Sequence, residues 1–184
     1  MHYLFARRLN MLDIAIHSLS DEELLSEEKQ QKLAKEYCIE IPELNRDKAK
    51  AEIKKEKLTS ENAPENFHVH EGQEYQYFSY KIPFSSSEYI SDILKLQNKH
   101  EGLSVSEKEL EYREYSHSHI EEDGSENTRL RRDAEKAIEG IELCLDEFAA
   151  NAVEFNQMIL PKAIVEKCEA ERMIRIKAKH LQEA

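Results

Sequence analysis

The sequence is poor in the residues from which many catalytic loops are built. Its 184 residues include only 4 Gly, 4 Pro and no Trp. The glycines are too few for the Gly-rich phosphate loop of a dinucleotide- or nucleotide-binding protein, and their spacing does not match such a loop. The cysteines Cys38, Cys144 and Cys168 are odd in number and widely separated, with no CxxC pair. This pattern excludes a disulfide framework and predicts buried thiols in a reducing compartment.

Long apolar runs and excess positive charge are also missing. The first residues, MHYLFARRLNMLDIAI, contain neither an apolar stretch long enough for a membrane span nor a small-residue cleavage site. Lys and Arg number 26 against 38 Asp and Glu, which gives a formal net charge of −12. A field of this sign repels phosphate backbones and disfavours general nucleic-acid binding. We therefore expect a cytoplasmic protein that contacts no membrane.

Helical and strand patterns follow one another along the chain. Ser20 and Glu23 have the spacing of a capping box, and Pro42 ends the helical start. Alternating residues predict strands in KAKAEIKKEK, in EYQYFSYKIPF and, once or twice, in LSVSEKELEYREYSHSH. On the central strand we expect Phe78 and Tyr80 on one face and Tyr75 and Tyr77 on the other. The expected product is a small antiparallel sheet of three to four strands.

The last third carries an apolar stripe that predicts a long helix. Its residues recur in steps of three and four: Leu130, Ala134, Ile138, Ile141, Leu145, Phe148, Ala152, Phe155 and Ile159. We expect Pro161 to kink this helix or to reverse it into a hairpin. The predicted fold is α+β, with residues 1–122 forming the helical start and the sheet, and residues 123–184 forming a coiled-coil-like helical region. The two regions together can also be one domain.

Two His-x-His pairs offer a candidate metal site. His68 and His70 would share one strand face, and so would His117 and His119. Four such imidazoles would satisfy tetrahedral zinc. The alternative is that they are partly exposed residues at strand ends, and short motifs of this kind often match by chance.

Arginines form two local basic clusters, and aromatics crowd the central strand. The candidate nucleic-acid contacts are Arg129, Arg131, Arg132, Arg172 and Arg175. The other interpretation is a solvated helix face. The run YQYFSY has the aromatics that stack nucleobases in RNA-binding sheets, but it lacks the accompanying basic and Gly residues, so a hydrophobic core is the better interpretation.

Three short stretches resemble the N-terminal region of a set of uncharacterised bacterial proteins. They are the helical end IPEL, the strand end YKIPFSSS and the helix EFNQMILPKAIVEKCEAER, with Ile82, Pro83, Phe84, Phe155, Asn156, Leu160 and Pro161 as the matching residues. In longer members this region precedes a restriction-endonuclease-like domain. The resemblance implies a bacterial, antiviral-defence context and a stand-alone interaction module or a piece of a longer protein. It carries over no active-site residue.

We expect a non-catalytic interaction or regulatory module with no cofactor. The stripe of the long helix is longer than a small sheet can cover, so it predicts a partner surface. Leu145, Phe148, Phe155 and Ile159 are the expected interface residues, used either for homo-oligomer formation or for binding a protein partner. A zinc module or metal-dependent enzyme, and a nucleic-acid-binding accessory protein, are the alternatives.

Overall fold

The computed structural model describes residues 2–86, 88–97 and 102–183 and has the predicted α+β fold. The elements are α1 (His2–His17), α2 (Asp21–Leu25), α3 (Glu27–Glu36), β1 (Lys50–Lys57), β2 (Glu74–Pro83), α4 (Ile90–Gln97), β3 (Leu103–Val105), β4 (Glu109–Ser116), α5 (Ser125–Glu154) and α6 (Leu160–Glu183). The chain forms two compact units, Met1–Ile41 with Glu147–Ala184, and Pro42–Asp146. The beginning of α5 packs with the sheet, so α5 contributes to both units. The expected domain boundary after residue 122 stays a prediction.

In the first unit the predicted capping box is present. Ser20 Oγ accepts a hydrogen bond from the Glu23 amide at 3.2 Å, and the Ser20 amide donates to Glu23 Oε2 at 2.9 Å. The helix predicted to begin after Ser20 is divided in two at Ser26. The Ser26 side chain caps a new helix by accepting a hydrogen bond from the Lys29 amide. Leu24 and Leu33 lie in the core of this unit.

The long helix neither ends nor reverses at Pro161. Its backbone stays helical from Ser125 to Glu183, with a π-helical segment over Phe155–Ile159 in which the Leu160 amide donates to the Phe155 carbonyl. Proline has no amide hydrogen, and its ring clashes with the carbonyl four residues earlier in a regular helix. The wider π turn immediately before Pro161 provides the room that the ring needs, so the chain continues in the same helix.

The π turn also changes which residues face inward. Buried side chains follow the predicted steps up to Ala152 and Phe155, but the next buried residue is Leu160 and not Ile159. One extra residue in a helical turn rotates everything after it by about 100° relative to the earlier stripe. As a result Ile159 is 44 % exposed, while Leu160 is fully buried.

Asn156 holds the π segment to the chain that follows α3. Its Oδ1 accepts from the Ile39 amide at 2.7 Å, and its Nδ2 donates to the Ile39 carbonyl at 2.9 Å. Asn156 thus pairs with both polar groups of one buried backbone residue, as a neighbouring strand would. Asn156, one of the residues on which the resemblance rests, therefore has a structural role.

In the second unit the four strands form an antiparallel sheet in the order β1-β2-β4-β3. Phe78 and Tyr112 project from the two central strands and pack with Leu130, Ala134 and Ala137 of α5. Tyr80 packs against the same cluster, so the predicted common face of Phe78 and Tyr80 is confirmed.

The IPF strand end also has a structural role. Ile82 is fully buried, the Asn45 amide donates to the Pro83 carbonyl at 2.7 Å, and Phe84 pairs with Leu44. These contacts fix the segment that leads into β1 against the end of β2.

Candidate functional site

The four histidines do not form the predicted metal site. All four are exposed, since His68 and His70 precede β2 in a loop, and His117 and His119 follow the end of β4. The His117 ring stacks on Phe67, with ring centroids 4.1 Å apart. No group of three or more His, Cys, Asp or Glu within the described ranges is placed to hold a metal ion. The prediction assumed that the strands extend through these residues, and they do not.

The second face of the sheet is aromatic and charged, but its rings are already in contact with other side chains. Tyr77 is 8 % exposed, with the Arg113 guanidinium 4.7 Å above its ring and Tyr115 at 5.1 Å between centroids. Arg113 is paired with Glu111 at 3.2 Å. A base would have to displace these contacts, so the face lacks the open rings and free cations of a nucleic-acid platform.

In the first basic cluster, Arg129 is neutralised by nearby carboxylates. Arg129 lies 2.9 Å from each of Glu114, Glu126 and Asp133. Hydrogen bonds from Arg129 and Ser116 lower the pKa of Glu126 to about 2. The other two members contact their own unit as well: Arg131 lies 5.6 Å from the ring centroid of Phe78, and Arg132 lies 3.6 Å from Asp133.

The second cluster is divided between one paired and one open arginine. Arg175 bonds to Asp21 at 3.0 Å and to Glu171 at 2.8 Å, and it also donates to the carbonyls of His17 and Leu19. Arg172 is exposed and has no ion pair with any residue the structure describes. Arg129 and Arg175 are thus held by carboxylates, whereas Arg131, Arg132 and Arg172 are exposed. The nucleic-acid alternative stays a prediction.

Three of the four expected interface residues are buried in the chain's own fold. Leu145 is 6 % exposed, and Phe148 and Phe155 are at most 1 % exposed. Phe5 of α1 covers the last two, with ring centroids 5.9 Å from Phe148 and 5.3 Å from Phe155. The partner helix that the stripe needs is therefore α1 of the same chain. Only Ile159 is left on the surface.

A different apolar surface lies between α1 and α6, and we call it the α1/α6 groove. It is an open groove of about 580 Å³. Its lining residues are Asp13, Ile14, Ile16, His17, Lys167, Ala170, Glu171 and Ile174. Ile14 is 74 % exposed and Ile174 is 62 % exposed. Single exposed apolar residues are ordinary, but two isoleucines lining one groove form a candidate contact site.

Two side-chain contacts join the two helices that form this groove. Lys167 bonds to Asp13, and His17 Nδ1 lies 3.2 Å from Glu171 Oε1. Both pairs join residues at the same sequence offset, so α1 and α6 run parallel. The hydrogen bond from Arg175, followed by the one from His17, lowers the pKa of Glu171. These contacts therefore bridge α1 and α6 within the groove.

The apolar surface continues along α6 beyond the groove. Ile159, Ala163, Ala170, Ile174 and Leu181 follow in alternating steps of four and seven and form one helical stripe, which we call the α6 stripe. Leu181 is 80 % exposed. At 1.5 Å per residue the stripe is about 33 Å long. It has the length and spacing of a surface that pairs with another helix.

Comparisons with known proteins give no relative for this chain. No protein-family model, no curated protein and no solved structure matched. The resemblance to the uncharacterised bacterial proteins stays a prediction. Within the described part of the chain, none of the helices combines the length and the apolar character needed to cross a bilayer.

Proposed function

We propose that the protein is a non-catalytic interaction module that binds a protein partner through the α1/α6 groove and the α6 stripe. The observation that carries the proposal is the exposure of Ile14 and Ile174 on either side of one groove. Burying an aliphatic side chain stabilises a complex by about 1.5–3 kcal/mol. Because both side chains are exposed in the isolated chain, they gain little of this free energy on folding. They would gain it on binding a partner.

The surrounding fold supports this proposal. α1 and α6 already use their inward faces on a packed interior, including Leu12 on α1 and Ile164 on α6. The core of this unit is therefore complete without their outward apolar residues, which stay exposed to solvent. The helices would act as a rigid support, and the surface would need little ordering on binding. The sequence resemblance implies that the partner belongs to a bacterial defence system.

Site-specific photo-crosslinking in cells tests the proposal. A photoreactive phenylalanine analogue is introduced at Ile174, and the matched control carries it at Glu139, an exposed residue of α5. We expect one discrete adduct of defined mass from position 174, whether the partner is another protein or a second copy of this chain. We expect no such adduct from position 139. The same faint, heterogeneous products at both positions would contradict the proposal.

A further inference from the structure

We infer that the α1/α6 groove takes an acidic amphipathic helix, presented by a different protein. This inference rests on the proposed function and names the chemistry of the partner. The shape comes first: two parallel helices with a shallow apolar groove between them accept a third helix that contributes apolar residues at every third or fourth position. The α6 stripe, about 33 Å long, matches a partner helix of about 22 residues.

The acidic groups of the groove are already neutralised. Asp13 is paired with Lys167, and Glu171 is paired with both His17 and Arg175. Among the described residues that line the groove, no carboxylate is left unpaired for a cationic ligand. A basic partner would have to break one of these pairs to gain another, for no net increase in the number of ion pairs.

Two cations near the groove, in contrast, are not paired with any carboxylate that the structure describes. Lys177 lies between Ile174 and Leu181 on the α6 stripe, and Arg7 lies two turns from Ile14 on the same face of α1. Both are exposed, and neither has a carboxylate partner among the residues that the structure describes. α6 carries six Lys and Arg against four Glu, and α1 carries two Arg against one Asp. These helices are positively charged within a chain of net charge −12. Aspartate or glutamate flanking an apolar partner stripe would complement them.

The same charges argue against a second copy as the partner. An isologous dimer places the same patch on both sides of the interface, so Arg7 and Lys177 would meet a surface of their own sign. Anionic membranes would satisfy the cations as well, but the apolar residues line a groove between two helices and not a flat apolar face.

Fluorescence anisotropy with designed peptides tests the inference on the purified full chain. The probe is a labelled amphipathic peptide of about three heptads with Leu at its a and d positions and Glu at its e and g positions. One matched peptide carries Lys in place of the flanking Glu, and another carries Ser in place of Leu. We expect the Glu peptide to bind at least about tenfold more tightly than the Lys peptide, with an affinity that falls as salt is raised.

Variants of the chain separate the apolar and charged contributions. Ile174→Ser should weaken the Glu peptide by about tenfold. Lys177→Glu should weaken the Glu peptide by about two- to fivefold and strengthen the Lys peptide by a similar factor. Lys32→Glu, a charge reversal at an exposed residue of α3, is the matched control and should change neither.

Three results would overturn the inference: equal binding of the Glu and Lys peptides, binding of anionic phosphatidylserine vesicles without binding of the Glu peptide, or sedimentation of the chain as a dimer that Ile174→Ser dissociates. None of these three results decides the photo-crosslinking test, which tests the proposed function separately. A discrete adduct at position 174 together with any of these results means that the groove binds a partner of different chemistry. Absence of the adduct means that the groove is not an interaction site.

Discussion

Replacing Asn156 with alanine should destabilise the first unit, because it removes both hydrogen bonds to the Ile39 backbone. Ile39 is 2 % exposed, so water cannot easily replace the lost partners. A buried polar group left without a partner costs about 1–3 kcal/mol, and two such groups are affected. Asn156 itself is half-buried, which limits the loss to roughly 2–4 kcal/mol. Alanine is the better helix former by roughly 0.6 kcal/mol, so the expected net change is about 1.5–3.5 kcal/mol.

Urea unfolding followed by far-ultraviolet circular dichroism measures this change. Hydrogen exchange at the Ile39 amide reports it locally and should become faster. Gln157→Ala, one residue further in the same π segment and exposed, is the matched control. It should stay within about 0.5 kcal/mol of the unmodified chain. If Asn156→Ala matches Gln157→Ala in stability, and the Ile39 amide stays protected in both, the bidentate contact does not hold this segment.

Three further changes test the core, the charges and the turns. Phe148→Ala should cost about 3–5 kcal/mol in urea unfolding, because the ring is fully buried; a change in oligomeric state with unchanged stability would mean that this ring faces a partner. The pKa of Glu126 lies at about 2, below its ordinary 4.5, so its contribution to stability is present above pH 4.5 and is lost as the pH falls toward 2. Glu126→Gln should therefore flatten the dependence of the urea midpoint on pH over that window, and an unchanged slope would contradict the assignment. Gly102→Ala should lower the melting temperature more than Gly72→Ala: both glycines have positive φ, but only the Cβ at position 102 would lie 2.5 Å from a backbone oxygen, that of Arg113. Equal losses would mean that this close approach is absent.

Local patterns predicted the secondary structure well, since short-range rules decide it. Residues close in sequence determine the capping box at Ser20, the aromatic strand ending at Pro83 and the long helix. The outward positions of Ile14 and Ile174 could not be predicted in the same way. An isoleucine at helical spacing indicates a core face whether or not anything covers it.

The expected interface failed for a related reason. The stripe that includes Phe148 and Phe155 shows that a helix must cover it, but the stripe does not say which helix. Phe5 lies far away in the sequence, and only the tertiary structure brings its ring onto both. The π turn then rotated the stripe by one residue, which moved Ile159 to the surface. Pro161 was the available sequence indication of this change, since a proline inside a helix requires a local adjustment.

The most direct test of the proposed function is the yield of the photo-crosslinked adduct from position 181, compared between the unmodified chain and the Ile14→Ser/Ile174→Ser double variant. Both isoleucines are more than half exposed, so their replacement should change the free energy of unfolding by no more than about 0.5 kcal/mol each. We predict that the double variant keeps its melting temperature and loses the adduct. A variant that is equally stable and gives the same adduct in the same yield would show that the α1/α6 groove is not where the partner binds.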